Sequence, residues 1–331
     1  MSRQDESAYA STPATTAPPK SRLRKSLGFI VGIALVGIAI YIITSGSASV
    51  GAALGRLRSP DPLALAIVLA MPLANIALTA WAFLVLNRHY GRVGAMEMNA
   101  LIAGAWFLNY LPMRPGMVGR IAYHKRVNAI PIKASIHVTC IEAMLGLPSA
   151  AFVLALCVPL MQASAPAWLW GAIAALLIAG GGASIVWSRI AQLPMWRMSA
   201  ALLIRVLDHA AWALRIWAGF ALLGHPIDAA SATVIGMVGQ LSLMVPVTGN
   251  GLGVREWAAA LTAELLAGAG VARAFDESVA KELALAATLL VRAGELVSCA
   301  PIGLIASAWV SRRALRSGGD DADNSQEKPG N

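Results

Sequence analysis

The stretch LSLMVPVTGNGLGVREW, residues 241–257, interrupts an apolar segment of the chain. An apolar run from Ser231 to Val245 ends at Pro246, and the turn that follows contains Gly249, Gly251 and Gly253. Proline lacks the backbone donor that a helix needs and glycine tolerates positive φ, so this turn should end the helix. Both flanks are too apolar for water, and irregular backbone survives at membrane depth only inside protein or beside a water-filled cavity. The stretch therefore predicts a helix that is broken within a membrane.

A second stretch shows the same order of features 134 residues earlier. It is FLNYLPMRPGMVGR, residues 107–120, in which an apolar run is followed by Pro112, by a turn with Gly116 and Gly119, and by a charge. Its Pro112 and Gly119 align without a gap with the proline and the last glycine of the later turn. Two broken apolar segments at corresponding positions of two halves are typical of a transporter binding site near the membrane midplane.

Composition also indicates a membrane protein. Apolar residues make up 57% of the chain and charged residues 13%, whereas about a quarter of an ordinary soluble domain is charged. The formal charge is +9, but the basic residues lie in short loops between apolar runs, a pattern of topology control rather than of nucleic-acid binding. We find no phosphate loop, zinc-protease motif, nucleophile elbow or paired cysteines. We therefore expect no metal, no cofactor, no catalytic residue and no nucleic-acid partner.

The pattern predicts an all-α polytopic membrane protein with about six full spans, at 27–43, 63–86, 132–158, 167–187, 200–223 and 283–310. The broken segments lie at 97–129 and 231–268. The first of them begins with an apolar run of 15 residues, about 22 Å as a helix, which is short of a hydrocarbon core of roughly 30 Å. We therefore predict that both segments are re-entrant. In the alternative both cross the membrane, giving eight spans.

Counting crossings predicts how the halves are oriented. Residues 27–158 and 167–310 each contain three full spans and one broken segment, so the second unit should be an inverted copy of the first. With both termini in the cytoplasm, seventeen of the 26 lysines and arginines, counted up to Arg316, fall on the cytoplasmic side, and four on the other side. Residues 1–26 and 311–331 are predicted to be disordered cytoplasmic tails. We expect a multi-pass protein of a bacterial-type inner (plasma) membrane.

Buried charges are expensive in a membrane span, so the charges of the apolar runs and turns are the candidate substrate-binding residues. They are Arg120, Glu142, Arg205, Asp208, Arg255, Glu256, Arg292 and Glu295. The turn residues that would shape the site are Pro112, Gly116, Gly119, Pro246, Gly249, Gly251 and Gly253.

Arg120 either binds a phosphate together with free helical N–H groups or extends to the interface. Arg205 and Asp208 either line a cavity or form a plain ion pair. Adjacent Arg255 and Glu256 pair poorly with each other on a helix, so we expect other partners for both.

The same residues carry a family resemblance. The chain resembles the transmembrane region of lysylphosphatidylglycerol synthases and their flippase-like relatives. The residues that carry the resemblance are the stretches PVTGNGLGVREW and NYLPMRPGMVGR, HKR at 124–126, and Glu142 in IHVTCIEAMLG. The resemblance covers about residues 27–310 and implies a stand-alone protein without the synthase domain. Relatives often have glutamate after the first glycine and an arginine three residues later, where this chain has Arg120 and Tyr123. The nature of the head group is therefore left open.

The resemblance implies a lipid flippase or transporter that moves or holds a phospholipid, glycolipid or hopanoid with a charged head group. One alternative is a membrane-embedded transferase acting on a phospholipid or polyprenyl phosphate, with Glu256, Glu142 or Asp208 as its base. Another is a scaffold for a separate lipid- or glycan-modifying enzyme. The partner expected in every case is a membrane lipid, and the sequence does not define an oligomeric state.

The orientation can be tested with reporter fusions. Fusions at Arg92, Arg197 and the C-terminus are expected to read as cytoplasmic, because loops rich in Lys and Arg stay inside. Fusions at Ser164 and Asp276 should read as external. An external signal at Arg197 would contradict the six-span arrangement.

Overall fold

The computed structural model describes residues 20–45, 48–111, 114–160, 167–244, 248–270 and 277–326. Within these ranges the chain is helical and contains no strand, which confirms the predicted all-α class. The helices are α1 (Lys20–Ser45), α2 (Ala48–Gly55), α3 (Pro62–Asn87), α4 (Ala95–Leu108), α5 (Pro115–Val127), α6 (Ile132–Cys157), α7 (Ala167–Ile190), α8 (Met195–Leu222), α9 (Ala229–Leu241), α10 (Val254–Gly268) and α11 (Glu277–Gln326).

Several of these helices suit a membrane. Among the described residues four are long and apolar enough to cross it: α3, α6, α7 and residues 278–316 of α11. The pair α1 and α2, bent by 98° between them, would make a fifth span. Helix α8 has 28 residues but carries Arg205, Asp208 and Arg215, so its composition is less apolar. The chain is a helical, membrane-embedded protein, and the count of six full spans stays a prediction.

Both predicted breaks are present. Helices α4 and α9 have 14 and 13 residues, too few to cross a bilayer. After α4 the chain turns back into α5 at Arg114, whose φ of 51° is left-handed. Before α10 the backbone is left-handed at Asn250, Gly251 and Gly253. The prolines Pro112 and Pro246 lie outside the described residues.

Gly116 explains how the first segment folds back on itself. A Cβ at this position would overlap the backbone of Ala105 on α4, including its carbonyl oxygen. Only glycine therefore lets the first turn of α5 pack directly against α4. Gly119, one turn later, has open space where its Cβ would lie.

Two large apolar clusters occupy different parts of the bundle, and a smaller third cluster joins α3, α8 and α11. One contains residues of α4, the C-terminal half of α3 and the N-terminal half of α6. The other contains residues of α9, α10 and the C-terminal half of α6. Helices α8 and α11 also pass from one cluster to the other, α8 between Ala201 and Trp212 and α11 between Ala287 and Cys299. Each broken segment thus belongs to its own half, and the charges of α8 and α11 lie at the boundary.

The two halves of the chain also correspond in spacing and packing. Helices α3 and α8 begin 133 residues apart, at Pro62 and Met195, and α4 and α9 begin 134 apart, at Ala95 and Ala229. Helix α3 packs on α8. Helix α6 packs on α7 and α9, and α11 packs on α1 and α4. These are the contacts expected if α1, α3, α4 and α6 correspond to α7, α8, α9 and α11.

The structure differs from the sequence prediction at the ends. Helix α1 begins at Lys20 and α11 continues to Gln326, so residues 20–26 and 311–326 are helical where disorder was predicted. Residues 20–25 and 312–316 continue an apolar helix with residues that favour helices, such as Arg, Lys and Leu, and a preformed helix extends more easily than a new one starts. Residues 317–326 include Gly318 and Gly319, which do not favour a helix.

The meeting of the two breaks can be tested by crosslinking. Cysteines at Met117 and Asn250, in a protein lacking Cys140, Cys157 and Cys299, should be joined by a short bifunctional reagent, because both positions line one cavity. Cysteines at Met117 and Gly182 are the control pair, since Gly182 on α7 faces open space. Equal crosslinking of both pairs would contradict the juxtaposition.

Candidate functional site

A cavity of about 270 Å³ lies between the two breaks, among α3, α4, α5, α6, α8, α10 and α11. Seven charged side chains line it: Arg114, Arg120, Glu142, Asp208, Arg215, Arg255 and Glu295. Three more support this set without lining the cavity: Arg205 pairs with Glu142 and Asp208, Glu256 with Arg255, and Arg292 with Glu256. We call these ten side chains the central charge cluster. It contains six arginines and four carboxylates.

Glu295 joins four parts of the chain. Its carboxylate accepts hydrogen bonds from Arg215 of α8, from Arg255 of α10 at 3.2 Å, and from the hydroxyl of Tyr110, just after α4, at 3.0 Å. The ring of Trp212 lies 4.2 Å from the guanidinium carbon of Arg215 and 4.9 Å from that of Arg255. The carboxylate and the indole together fix both guanidinium groups at the cavity wall.

Glu256 supports the start of α10 and does not line the cavity. It is fully buried, and its Oε2 accepts the backbone N–H of Gly253 at 2.9 Å, which caps α10. Its Oε1 pairs with Arg292 of α11 and lies 3.5 Å from Nε of Arg255. Arg292 also donates to the carbonyl of Gly251 at 3.4 Å. As expected, Arg255 and Glu256 each have a closer partner than the other, but Glu256 does not reach the cavity.

A second group of contacts connects α3, α6 and α8. Arg205 pairs with Asp208 at 2.6 Å and with Glu142 at 3.3 Å. Arg205 does not line the cavity, so of the two interpretations of this residue the ion pair applies. Asn75 donates to Asp208 at 2.7 Å and accepts from Arg215 at 3.2 Å. Asn75 and Asp208 are 133 residues apart, so they occupy corresponding positions on α3 and α8.

Two arginines of the cavity have no carboxylate partner. Arg120 donates to the Thr139 hydroxyl at 2.9 Å and lies over the ring of Phe83 at 3.7 Å. Arg114 donates to the carbonyl of Leu243, in the other break, at 2.8 Å. Among the described residues no carboxylate lies within 4 Å of either guanidinium. Arg120 is only 7% exposed, so it does not extend to the interface.

Further hydrogen-bonding atoms around the cavity lack a partner in the described residues. They include Nη2 of Arg255, Nε of Arg215 and Oε1 of Gln240, all buried on cavity-lining side chains. A buried donor without a partner costs about 1–3 kcal/mol. Two of these three atoms are N–H donors of arginines in the cavity wall, so together with Arg114 and Arg120 the wall carries more donor groups than the described residues satisfy. This excess of donors suits an anionic group.

Sequence reasoning identified eight charged candidates, and the structure brings all eight into one cluster. Arg120, Glu142, Asp208, Arg255 and Glu295 line the cavity, whereas Arg205, Glu256 and Arg292 support it. It missed Arg114, Tyr110, Asn75 and Arg215. Arg114 and Tyr110 lie within the stretch 107–120, so their position in the break was the available signal. Arg215 follows Asp208 and Trp212 at helical spacing, so the polar stripe on its helix was the available signal. Asn75 becomes recognisable only once α3 and α8 pack together.

Comparison with known proteins does not assign this site. No protein-family model matches the chain, and no curated protein matches it either. The function is therefore argued from the geometry of the cavity.

The supporting role of Glu256 predicts a stability difference within one helix. Glu256→Gln should lower the free energy of unfolding by about 3 kcal/mol, because it leaves buried Arg292 without its counterion. Glu264→Gln is the matched control, because Glu264 also lies on α10 and pairs with Lys281 of α11 at 2.8 Å, but both side chains are about a third exposed. Its effect should be about 0–1 kcal/mol. Thermal unfolding in detergent measures both, and equal effects would contradict the assignment.

Proposed function

We propose that this protein is an integral membrane transporter that binds the phosphate-bearing head group of a lipid in the central cavity and moves it across the bilayer. The observation that carries the proposal is the pair of cavity-facing cations, Arg114 and Arg120, that lack a carboxylate partner among the described residues. Arg255 lines the same cavity, and its buried Nη2 has no hydrogen-bond partner among the described residues. Guanidinium groups bind phosphate oxygens through paired N–H donors, which makes three converging arginines a suitable phosphate site.

A neighbouring groove supports a lipid rather than a soluble anion. It has a volume of about 590 Å³ and lies among α3, α4 and α11. Its walls are almost entirely apolar, with side chains such as Leu73, Ile302 and Ile305. Ile76 lines both the groove and the charged cavity. A lipid can therefore place its head group in the cavity and an acyl chain in the groove.

The correspondence of the two halves supports an inverted-repeat transporter. The halves share helix spacing, packing partners and a broken segment, and the broken segments lie in opposite apolar clusters. In this arrangement both breaks reach the boundary between the clusters, where the cavity lies. Motion of one half against the other would expose the site to each leaflet in turn. We propose six spans, two re-entrant segments and cytoplasmic termini in a bacterial-type plasma membrane.

The contacts of the carboxylates favour transport over the transferase alternative. A general base must reach the reacting group. Glu256 does not line the cavity, and Glu142 and Asp208 are both held by Arg205. These carboxylates are positioned to neutralise arginines.

Lipid scrambling by the purified protein in liposomes tests the proposal. Arg120→Gln and Arg255→Ala should each reduce the rate of head-group movement by at least about tenfold, the effect of roughly 1.4 kcal/mol. Arg255→Lys should also be slow, because lysine cannot form the forked contact. Lys125→Gln is the control, since Lys125 lies on α5 with Arg120 but is exposed and does not line the cavity.

Protein abundance and thermal stability of each variant must be measured alongside transport. Normal scrambling by stable Arg120→Gln and Arg255→Ala proteins would remove this cavity from the mechanism. Loss of scrambling in Lys125→Gln as well would indicate a general surface-charge effect.

A further inference from the structure

The charge of the central cluster defines the class of head group that the cavity accepts. Every carboxylate of the cluster contacts at least one arginine, so we count all four as ionised. The six arginines then leave a net charge of plus two inside an apolar bundle. An uncompensated charge is much more expensive there than in water, so the ligand should supply the missing negative charge.

The excess charge is located at particular residues. Arg205 is shared by two carboxylates, and Glu295 is shared by Arg215 and Arg255. The cations without any such partner among the described residues are Arg114 and Arg120. Both are on the first broken segment and face the cavity. The net charge is thus concentrated where a head group would bind.

We infer that the cavity selects a lipid with a dianionic phosphate monoester head group over phosphodiester and zwitterionic lipids. This inference rests on the proposed function, since it concerns the same site. A phosphate monoester carries about two negative charges at neutral pH and presents three oxygens. It therefore neutralises the cluster and offers an acceptor to each of Arg114, Arg120 and Arg255. A phosphodiester supplies one charge and leaves the cavity positive, and a zwitterionic head group supplies no net charge.

Binding of short-chain lipids to the purified full chain tests the selectivity. The probes are dihexanoyl phosphatidic acid as monoester, dihexanoyl phosphatidylglycerol as diester and dihexanoyl phosphatidylcholine as zwitterion. At pH 8 the monoester should bind at least about tenfold more tightly than the diester, which corresponds to roughly 1.4 kcal/mol for the extra charge. Equal affinity for monoester and diester would overturn the inference.

The pH dependence separates charge from shape. The second ionisation of a phosphate monoester lies near pH 6, so the monoester loses about one charge between pH 8 and pH 5. Its advantage over phosphatidylglycerol should therefore shrink about tenfold or more on acidification. The carboxylates that face the cavity are Glu142, Asp208 and Glu295. Protonation of a cavity carboxylate would make the cavity more positive and would increase the advantage of the doubly charged ligand, so a smaller ratio at pH 5 reports the charge of the ligand. A ratio that does not change with pH would contradict a dianionic ligand.

Variants locate the charge that is responsible. Arg120→Gln lowers the cluster charge by one and should reduce the monoester preference, while Lys125→Gln should leave it unchanged. If no lipid binds more tightly to the native protein than to Arg120→Gln, the proposed function itself fails. If phosphatidylglycerol binds strongly and responds to Arg120→Gln as the monoester does, the site stands and the monoester class fails.

Discussion

The structure depends on pairing the charged side chains that it keeps away from water, and eight of the ten members of the central charge cluster contact an oppositely charged partner. Moving an ion into an apolar interior costs several kcal/mol even after relaxation, and pairing offsets this only with good geometry. The chain meets the condition by sharing partners. Glu295 serves Arg215 and Arg255, Glu256 serves Arg292 and the N-terminus of α10, and Arg205 serves two carboxylates. These contacts join helices that are distant in sequence and fix the wall of the cavity.

The same side chains stabilise the irregular backbone of the breaks. A carbonyl at membrane depth needs a donor from protein or water. Arg114 donates to the carbonyl of Leu243 in the opposite break, and Arg292 donates to that of Gly251 in the turn before α10. The second break therefore relies on arginines from two other segments, the first break and α11. The breaks and the buried charges are consequently one structural feature, because removal of either would leave polar groups of the other without partners.

Local sequence signals predicted the helices and the breaks, because proline, glycine and apolar length act within a few residues. The predicted starts of α6 and α7, Ile132 and Ala167, agree with the structure, and that of α3, Leu63, differs by one residue. The rule that charges within apolar runs are candidates also identified eight of the ten side chains in the central charge cluster. Sequence reasoning could not separate cavity-facing from supporting charges, since Arg255 and Glu256 are neighbours with different surroundings. That distinction depends on where α11 packs against α10. The sequence pattern of one helix does not reveal its packing partner.

The arrangement of donors shows how a phosphate can bind without dismantling the network. Arg255 contacts Glu295 through Nη1, and its buried Nη2 has no partner among the described residues. In the proposed complex Nη2 would turn toward a ligand oxygen while Nη1 keeps the ion pair. Arg114 and Arg120 lie on the first broken segment, whereas Arg255 lies on the second. A phosphate held by all three would therefore tie the two broken segments together across the boundary between the apolar clusters. The ligand would thus add a contact between the two parts of the molecule that move relative to each other in the proposed transport cycle. If this contact is stronger in one conformation than in the other, ligand binding favours that conformation.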